Sequence, residues 1–344
     1  MGGVTLRLDG TRWREHLRAV AAATPGMVPV VKGHGYGFGL GWLADQCRDL
    51  GVDTLAVGMA GEVAQVRDRF DGDVVVLYPF DADARALADD PRVITTVSRL
   101  DDLRALAEAD GEPRVLVEVL TSMRRHGLAQ DDLAAVRPLL ERVRFEGWTL
   151  HLPLREDGRY AEVTRLGRAA LAVVPGPLWL SHLPAEEAQA LAAELRTTVR
   201  CRTGTRLWLG DAGVRSTTAT VLDVHRVRRG ERAGYRGRAV PADGFVLVIA
   251  GGTSHGVGME APTPAASLRQ RATALATGSL EAAGLALSPF TVAGRKRWFL
   301  EPPHMQSSQV LLPAKVPPPA VGDEVPVELR LTTATVDAIR VEQG

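Results

Sequence analysis

The stretch Val28-Pro-Val-Val-Lys-Gly-His-Gly-Tyr-Gly-Phe-Gly39 opens on four apolar residues and closes on a glycine-rich turn, with Lys32 between them. An apolar run of this length bounded by glycines predicts a short buried strand, Val28 to Val31, of a parallel sheet covered on both faces. Lysine is rare here. Among 41 basic residues only Lys32, Lys296 and Lys315 are lysines, and the rest are arginines. An amine can lose its proton and attack a carbonyl, whereas a guanidinium stays charged, so a strand-end lysine in an arginine-rich chain points to Schiff-base chemistry. On position alone such a lysine is more often a solvated surface charge. Tyr36, four residues on, offers a phenolic hydroxyl suited to a phosphate. Glycines 33, 35, 37 and 39 allow close approach of the backbone to a ligand.

Working outward, strands and helices alternate over about 200 residues, as parallel βα units do. Strands are expected at Thr54 to Val57, Asp73 to Tyr78, Val93 to Val97, Arg114 to Leu120, Gly147 to Leu150 and Pro177 to Ser181. Helices are expected between them, at Trp42 to Leu50, Ala60 to Phe70, Ala82 to Ala88, Leu100 to Ala107, Asp131 to Val143, Tyr160 to Ala172 and Pro184 to Leu195. Eight such units would close a TIM-type (β/α)8 barrel. The rival is an open doubly wound sheet, weakened because no Gly-x-Gly-x-x-Gly opens the first unit. Near residue 211 the texture turns to strands separated by Gly, Pro and Asp, with Ser267 to Ala276 alone reading as a helix. The expected organisation is an α/β barrel at 10–211, then a mainly β C-terminal domain at 212–344 that residues 1–9 would join through the strand Thr5 to Leu8.

At 344 residues two domains are expected, and 41 acidic residues balance the 41 basic ones. That balance gives no reason to expect a nucleic acid partner or an acidic membrane surface. Met1 to Gly10 lacks an apolar signal core, and no segment reaches the roughly 20 apolar residues of a membrane span. A soluble, cytoplasmic protein is expected. Cys47 and Cys201 are too few for a disulfide framework.

The Lys32-x-x-x-Tyr36-Gly-x-Gly context closely resembles the pyridoxal-phosphate lysine motif of the alanine racemase family, a group of fold type III enzymes. By that resemblance Lys32 would hold pyridoxal 5'-phosphate and Tyr36 would touch its phosphate. Met123-Arg-Arg-His-Gly127 is similar to the family's Met-x-Arg-x-Gly segment, which implies that Arg125 holds the substrate carboxylate. Glu146-Gly-Trp-Thr-Leu-His151 and Ser181-His182 match two strand-end histidines that support the cofactor. No metal is expected at them. Cys201-Arg-Thr-Gly-Thr205 implies Arg202 against the pyridine nitrogen, with Gly204 and Thr205 at the phosphate. Val227 to Tyr235 resembles the signature opening the family's β domain.

Other positions depart from the pattern. The family's second base, a tyrosine from the partner subunit, is replaced here by Gly251 or Gly252. The substrate-side Met-Asp pair reads Met305-Gln306, a phosphate serine reads Glu186, and a lysine supporting the carboxylate-binding arginine reads Glu118. No C-terminal phosphate tyrosine is evident. The resemblance therefore implies a homodimer acting on a small-molecule amino acid, as a racemase with a substitute acid, most plausibly His255. Otherwise His255 is an exposed glycine-loop residue. Two further readings stand: other amino-acid chemistry on the same cofactor, or a catalytically silent relative that binds the cofactor or a protein partner for regulation.

Overall fold

Runs of Val, Ile and Leu separated by amphipathic segments form strands and helices in strict alternation. The computed structural model describes residues 2–109, 111–259 and 286–343. In chain order the first elements are β1 (Val4–Asp9), α1 (Gly10–Ala23), β2 (Met27–Pro29), α2 (Leu40–Asp49), β3 (Thr54–Val57), α3 (Val63–Arg67) and β4 (Asp73–Pro79). There follow α4 (Ala82–Arg85), β5 (Val93–Val97), α5 (Leu100–Ala107), β6 (Arg114–Glu118), α6 (Arg137–Leu140) and β7 (Arg144–His151). The series ends with α7 (Arg159–Val173), β8 (Leu178–Ser181), α8 (Ala185–Leu195), β9 (Val199–Thr203) and α9 (Thr205–Leu209).

Strands β2 to β9 pair in parallel in the order β2-β9-β8-β7-β6-β5-β4-β3. The two ends meet where Val30 bridges Ala56 and the Val31 N–H donates to the Ala56 carbonyl at 2.6 Å. This closes the TIM-type barrel and removes the open-sheet rival. The expected strand at Val28–Val31 is displaced by a residue or two: its ladder to β9 covers Met27–Pro29, and beyond it Val30 turns to β3. Val28, Val30, Ala56, Val75, Ile94, Leu116 and Trp179, drawn from six of the barrel strands or their ends, pack into one cluster. Strands of one closed wall bring such residues together on its inner side.

The N-terminal ends of the strands are tied by charge. Arg114, at the start of β6, is buried and donates to both Asp73 carboxylate oxygens at 2.7 Å and to Glu146 at 2.7 Å. Arg144 also reaches Glu146, at 2.9 Å.

The second texture is a β structure, as expected from the Gly- and Pro-punctuated sequence. Its strands are β10 (Arg215–Val227), β11 (Arg232–Ala233), β12 (Arg238–Ala239), β13 (Gly244–Ala250), β14 (Leu287–Val292), β15 (Arg295–Trp298), β16 (Ser307–Pro313), β17 (Glu324–Pro326) and β18 (Ala338–Glu342). The main sheet runs β16-β13-β10-β1-β18, with β17 on β10. Thus β1 does join it, antiparallel to β10 and parallel to β18. Its core is Val221, Leu247, Ile249, Phe290, Phe299 and Val310 with their neighbours. The expected helix Ser267 to Ala276 lies outside the described residues.

The chain divides into two compact units, one of residues 14–35 and 39–210, the other of 1–13, 36–38 and 211–344. The three residues Tyr36 to Phe38, in the middle of the glycine turn, group with the β unit.

Candidate active site

Each strand of the barrel delivers its C-terminal residues to one rim, and the residues singled out in the sequence collect there. Lys32 follows β2, Arg125 lies on the loop after β6, His151 ends β7, His182 follows β8 and Arg202 is near the end of β9. Active groups of this fold sit on that rim.

Lys32 reaches solvent yet stands among cations. Partial burial lowers its pKa, Arg125 and Arg202 lower it further, and Glu62 opposes them. An amine so placed gives up its proton more readily than a free lysine. Arg202 is buried, and its Nη2 donates to the Leu150 carbonyl at 3.1 Å. Burial depresses its pKa to about 10, with Glu118 working against that and Arg125 adding to it. The Arg202 Nε is buried with no hydrogen-bond partner among the described residues. Glu118 is itself buried and accepts from Ser98 Oγ at 2.6 Å. An acid at this position therefore offsets the field of the buried guanidinium.

His151 and His182 meet edge to face at 5.1 Å between ring centres. Ser181 Oγ lies 2.8 Å from His151 Nδ1. His182 holds a left-handed backbone, φ 61, which a residue with a Cβ adopts only where its surroundings enforce it. Burial, then Arg202, Arg125, His182 and Lys32, depress the His151 pKa to about 3. His182 is lowered by burial first, then by Arg202, Lys32, Arg159 and Arg125. His151 is thus expected to stay neutral across the physiological range, and its imidazole signals should not titrate between pH 5 and 8 in an NMR series. The unfolded ring takes a proton near 6.5 while the folded one waits until about 3, so this residue's contribution to stability is lost as pH falls through that window.

Gly127 shows why the arginine loop needs its glycine. Its φ is +119°, and a Cβ there would lie 2.5 Å from the Leu120 nitrogen and 2.6 Å from the Val119 carbonyl carbon. The loop is pinned by Leu128 N–H to Glu118 O and Leu120 N–H to Leu128 O, each at 2.8 Å. Gly127→Ala is expected to destabilise the fold by roughly 2 kcal/mol or more and to displace Arg125. A denaturant midpoint unchanged from the parent would contradict this.

The glycine turn after Lys32 works by backbone conformation. Gly33, Gly35, Gly37 and Gly39 all have positive φ, as does Tyr36 at φ 55. Beside the expected close approach to a ligand, the left-handed backbone at these positions is itself a reason for glycine. Tyr36 is buried. Gly204 precedes α9, and its carbonyl accepts the N–H groups of Leu207 and Trp208, while Trp208 Nε1 donates to Val30 O at 2.8 Å. Thr205 is the first residue of α9. Glu186 is exposed on the first turn of α8, where solvent screens its charge.

In the β unit, His255 is buried, which corrects the exposed-loop expectation. Its Nε2 lies 3.1 Å from Asp337 Oδ2, and its Nδ1 accepts the Gly252 N–H at 3.3 Å. Both ring nitrogens are therefore engaged. Met305 is 73% exposed. Gly251 has φ +104°, and a Cβ on Gly252 would fall 2.0 Å from the His304 carbonyl oxygen.

Sequence reading missed Glu62, a buried carboxylate beside Lys32. It accepts the N–H groups of Gly33 at 2.8 Å, Gly58 at 2.7 Å and Met59 at 3.3 Å. It also missed Glu301, buried under His304, whose Nε2 lies 2.7 Å from Glu301 Oε1. Among the described residues no helix is long and apolar enough to cross a membrane.

A family model described as "Alanine racemase, N-terminal domain" matches residues 8–173. Over that stretch the chain resembles the alanine racemase family. It is similar to the "Alanine racemase" of Nitratidesulfovibrio vulgaris (strain DSM 19637 / Miyazaki F), 26% identical over 271 residues, covering 70% of this chain and 72% of that protein. Solved alanine racemases share the fold at lower identity. The one from Bartonella henselae, with covalently bound pyridoxal phosphate, has a TM-score of 0.71 at 16% identity, over 95% of this chain and 91% of that one. The biosynthetic alanine racemase of Pseudomonas aeruginosa has a TM-score of 0.69 at 21% identity, over 96% and 91%. Alanine racemases of this architecture thus share both the barrel and the β unit with the present chain.

Proposed function

We propose that this chain is a pyridoxal-phosphate-dependent enzyme of the alanine racemase family, interconverting the L and D forms of alanine or another small amino acid. The observation that carries the reading is the amine of Lys32, depressed by burial, Arg125 and Arg202 at the C-terminal rim of a closed barrel. The residues present fit the cofactor. Arg202 keeps a buried Nε without a partner among the described residues, and Glu186, at the position of the family's phosphate serine, is exposed.

In this reading Lys32 holds the cofactor through its amine, and Arg202 is assigned to the ring nitrogen, with His151 and His182 in support. Tyr36, Gly204 and Thr205 are assigned to the phosphate. Pyridoxal phosphate, when bound, supplies the electron sink that makes an amino acid's α-proton removable. Arg202, which stays protonated at neutral pH, gives no proton to the ring nitrogen and so limits how far that sink develops. Arg125 takes the substrate carboxylate through its guanidinium fork, and Met305 is the second substrate-side candidate. Lys32 Nζ removes the α-proton from one side.

His255 is the candidate second acid, and it would serve only by giving up its bond to Asp337. The glycines at 251 and 252 favour a second reading, in which proton exchange proceeds from Lys32 alone. The proposed assembly is a homodimer.

The test is to add pyridoxal phosphate to the purified protein, fix it with borohydride and locate the adduct, then assay L-alanine for D-alanine in deuterated water. Capture at Lys32 with D-product supports racemisation. Deuterium entering L-alanine without D-product supports the one-sided reading, and absence of capture overturns both.

A further inference from the structure

Among the described residues, Glu62 is the acid that acts on Lys32 against the cations around it, and it does so while carrying three backbone bonds. Its Oε1 accepts the N–H of Gly33, the residue after Lys32, and its Oε2 accepts the N–H groups of Gly58 and Met59 beyond the end of β3. The carboxylate is 7% exposed. One side chain thus ties the turn carrying the lysine to the neighbouring strand at the closure of the barrel. The fit is close: a Cβ built on Gly58 would lie 3.1 Å from Glu62 Oε2 and 3.2 Å from Lys32 Cβ. A buried carboxylate that accepts three N–H bonds has its position fixed by them. The other charges facing Lys32 are Arg125 and Arg202, both of which disfavour its protonated form, and the rings of His151 and His182 lie within its field.

We propose that Glu62 is a positioning residue for Lys32, fixing the backbone turn that aims the amine and supplying the counter-charge that sustains its basicity among the rim arginines. The inference rests on the reading of Lys32 as the cofactor-holding base. Two functions follow from two parts of the same side chain. The oxygens set where the amine points, and the charge sets when it is protonated.

The two parts separate in two measurements on the full chain. Trace acetylation with acetic anhydride across pH reports the Lys32 midpoint: the amine nitrogen bonds to the carbonyl carbon, acetate leaves, and the proton goes to solvent. The rate of pyridoxal phosphate capture at high pH, fixed with borohydride, reports geometry: the nitrogen bonds to the aldehyde carbon, and its two hydrogens leave with the aldehyde oxygen as water.

Glu62→Gln removes an anion and is expected to move the acetylation midpoint to lower pH, because the protonated amine loses its partner. It also presents an amide NH2 where backbone N–H groups need an acceptor. Its capture rate at high pH is therefore expected to fall on the order of ten- to hundredfold. Glu62→Asp keeps the charge on a shorter arm, so its midpoint stays nearer the parent's while its capture rate falls. A Glu62→Gln midpoint coinciding with the parent's overturns the inference. Should that variant not fold, a parental capture rate in Glu62→Asp overturns it instead. If the parent captures no pyridoxal phosphate at Lys32, the proposed function fails, and the acetylation midpoint alone decides the role of Glu62.

Discussion

Lys32→Ala is expected to abolish capture of pyridoxal phosphate and to lower amino-acid racemisation at least about 10⁴-fold, the scale on which loss of a covalent group acts. The other two lysines belong to the β unit. Lys296 belongs to β15 and is paired with Glu328 at 2.6 Å, and Lys315 is exposed beyond the end of β16. Lys32→Arg should fare no better, since a guanidinium keeps its charge and does not condense with an aldehyde. The substitution itself is mild for the fold, because the side chain reaches solvent and exposed positions tolerate change within about 0.5 kcal/mol. Absorbance with added cofactor and mass spectrometry of the borohydride-fixed protein check the result. A pyridoxyl adduct persisting elsewhere at the parental level would remove Lys32 from the proposal.

Trp179→Ala should bring the largest loss of stability. The indole is 2% exposed, packs with Val28, Val30, Ala56, Val75, Ile94 and Leu116, and donates from Nε1 to the Glu146 carbonyl at 3.0 Å. The Arg200 guanidinium lies 4.5 Å over its ring. Truncation empties the barrel interior and strands a cation's platform, at a cost of about 3–5 kcal/mol. A chemical denaturation curve measures this. A shift below about 1 kcal/mol would mean that the interior closes over the gap, which close-packed barrel layers resist.

Much of this was legible in the sequence, for identifiable reasons. Parallel strands covered on both faces are mostly apolar, so β4 stands out through Val74-Val-Val-Leu77, and β3 and β5 as short runs of apolar residues and threonine. Short helices were harder. The helix expected at Ala60 to Phe70 is a turn followed by α3, Val63–Arg67, and that expected at Asp131 to Val143 is a 3-10 segment ending in α6. Apolar spacing marks which face is buried; it says less about how many turns close in hydrogen bonds.

Strand β18 escaped notice because Ala338–Glu342 is short and mostly exposed, with β1 as its strand partner among the described residues. Arg125, His151, His182 and Arg202 were found because motif and strand end coincide. Glu62 was not, because it is one of 41 acids and its task appears only when the end of β3 is brought beside the end of β2. Pairings made by closure of a barrel leave no local trace. His255 failed in the opposite way, since a glycine-flanked histidine looks exposed until Asp337, 82 residues later, comes to meet it.

The crowding behind Gly252 constrains substitution there. With the His304 oxygen where a side chain would begin, and a neighbour at 251 whose φ of +104° favours glycine, no single substitution places a larger side chain at this spot without moving the backbone. The loop 251–254 and the segment 304–306 are laced together through Gly251, Thr253 and Ser254, so any larger residue at 251 or 252 requires that lacing to be rebuilt.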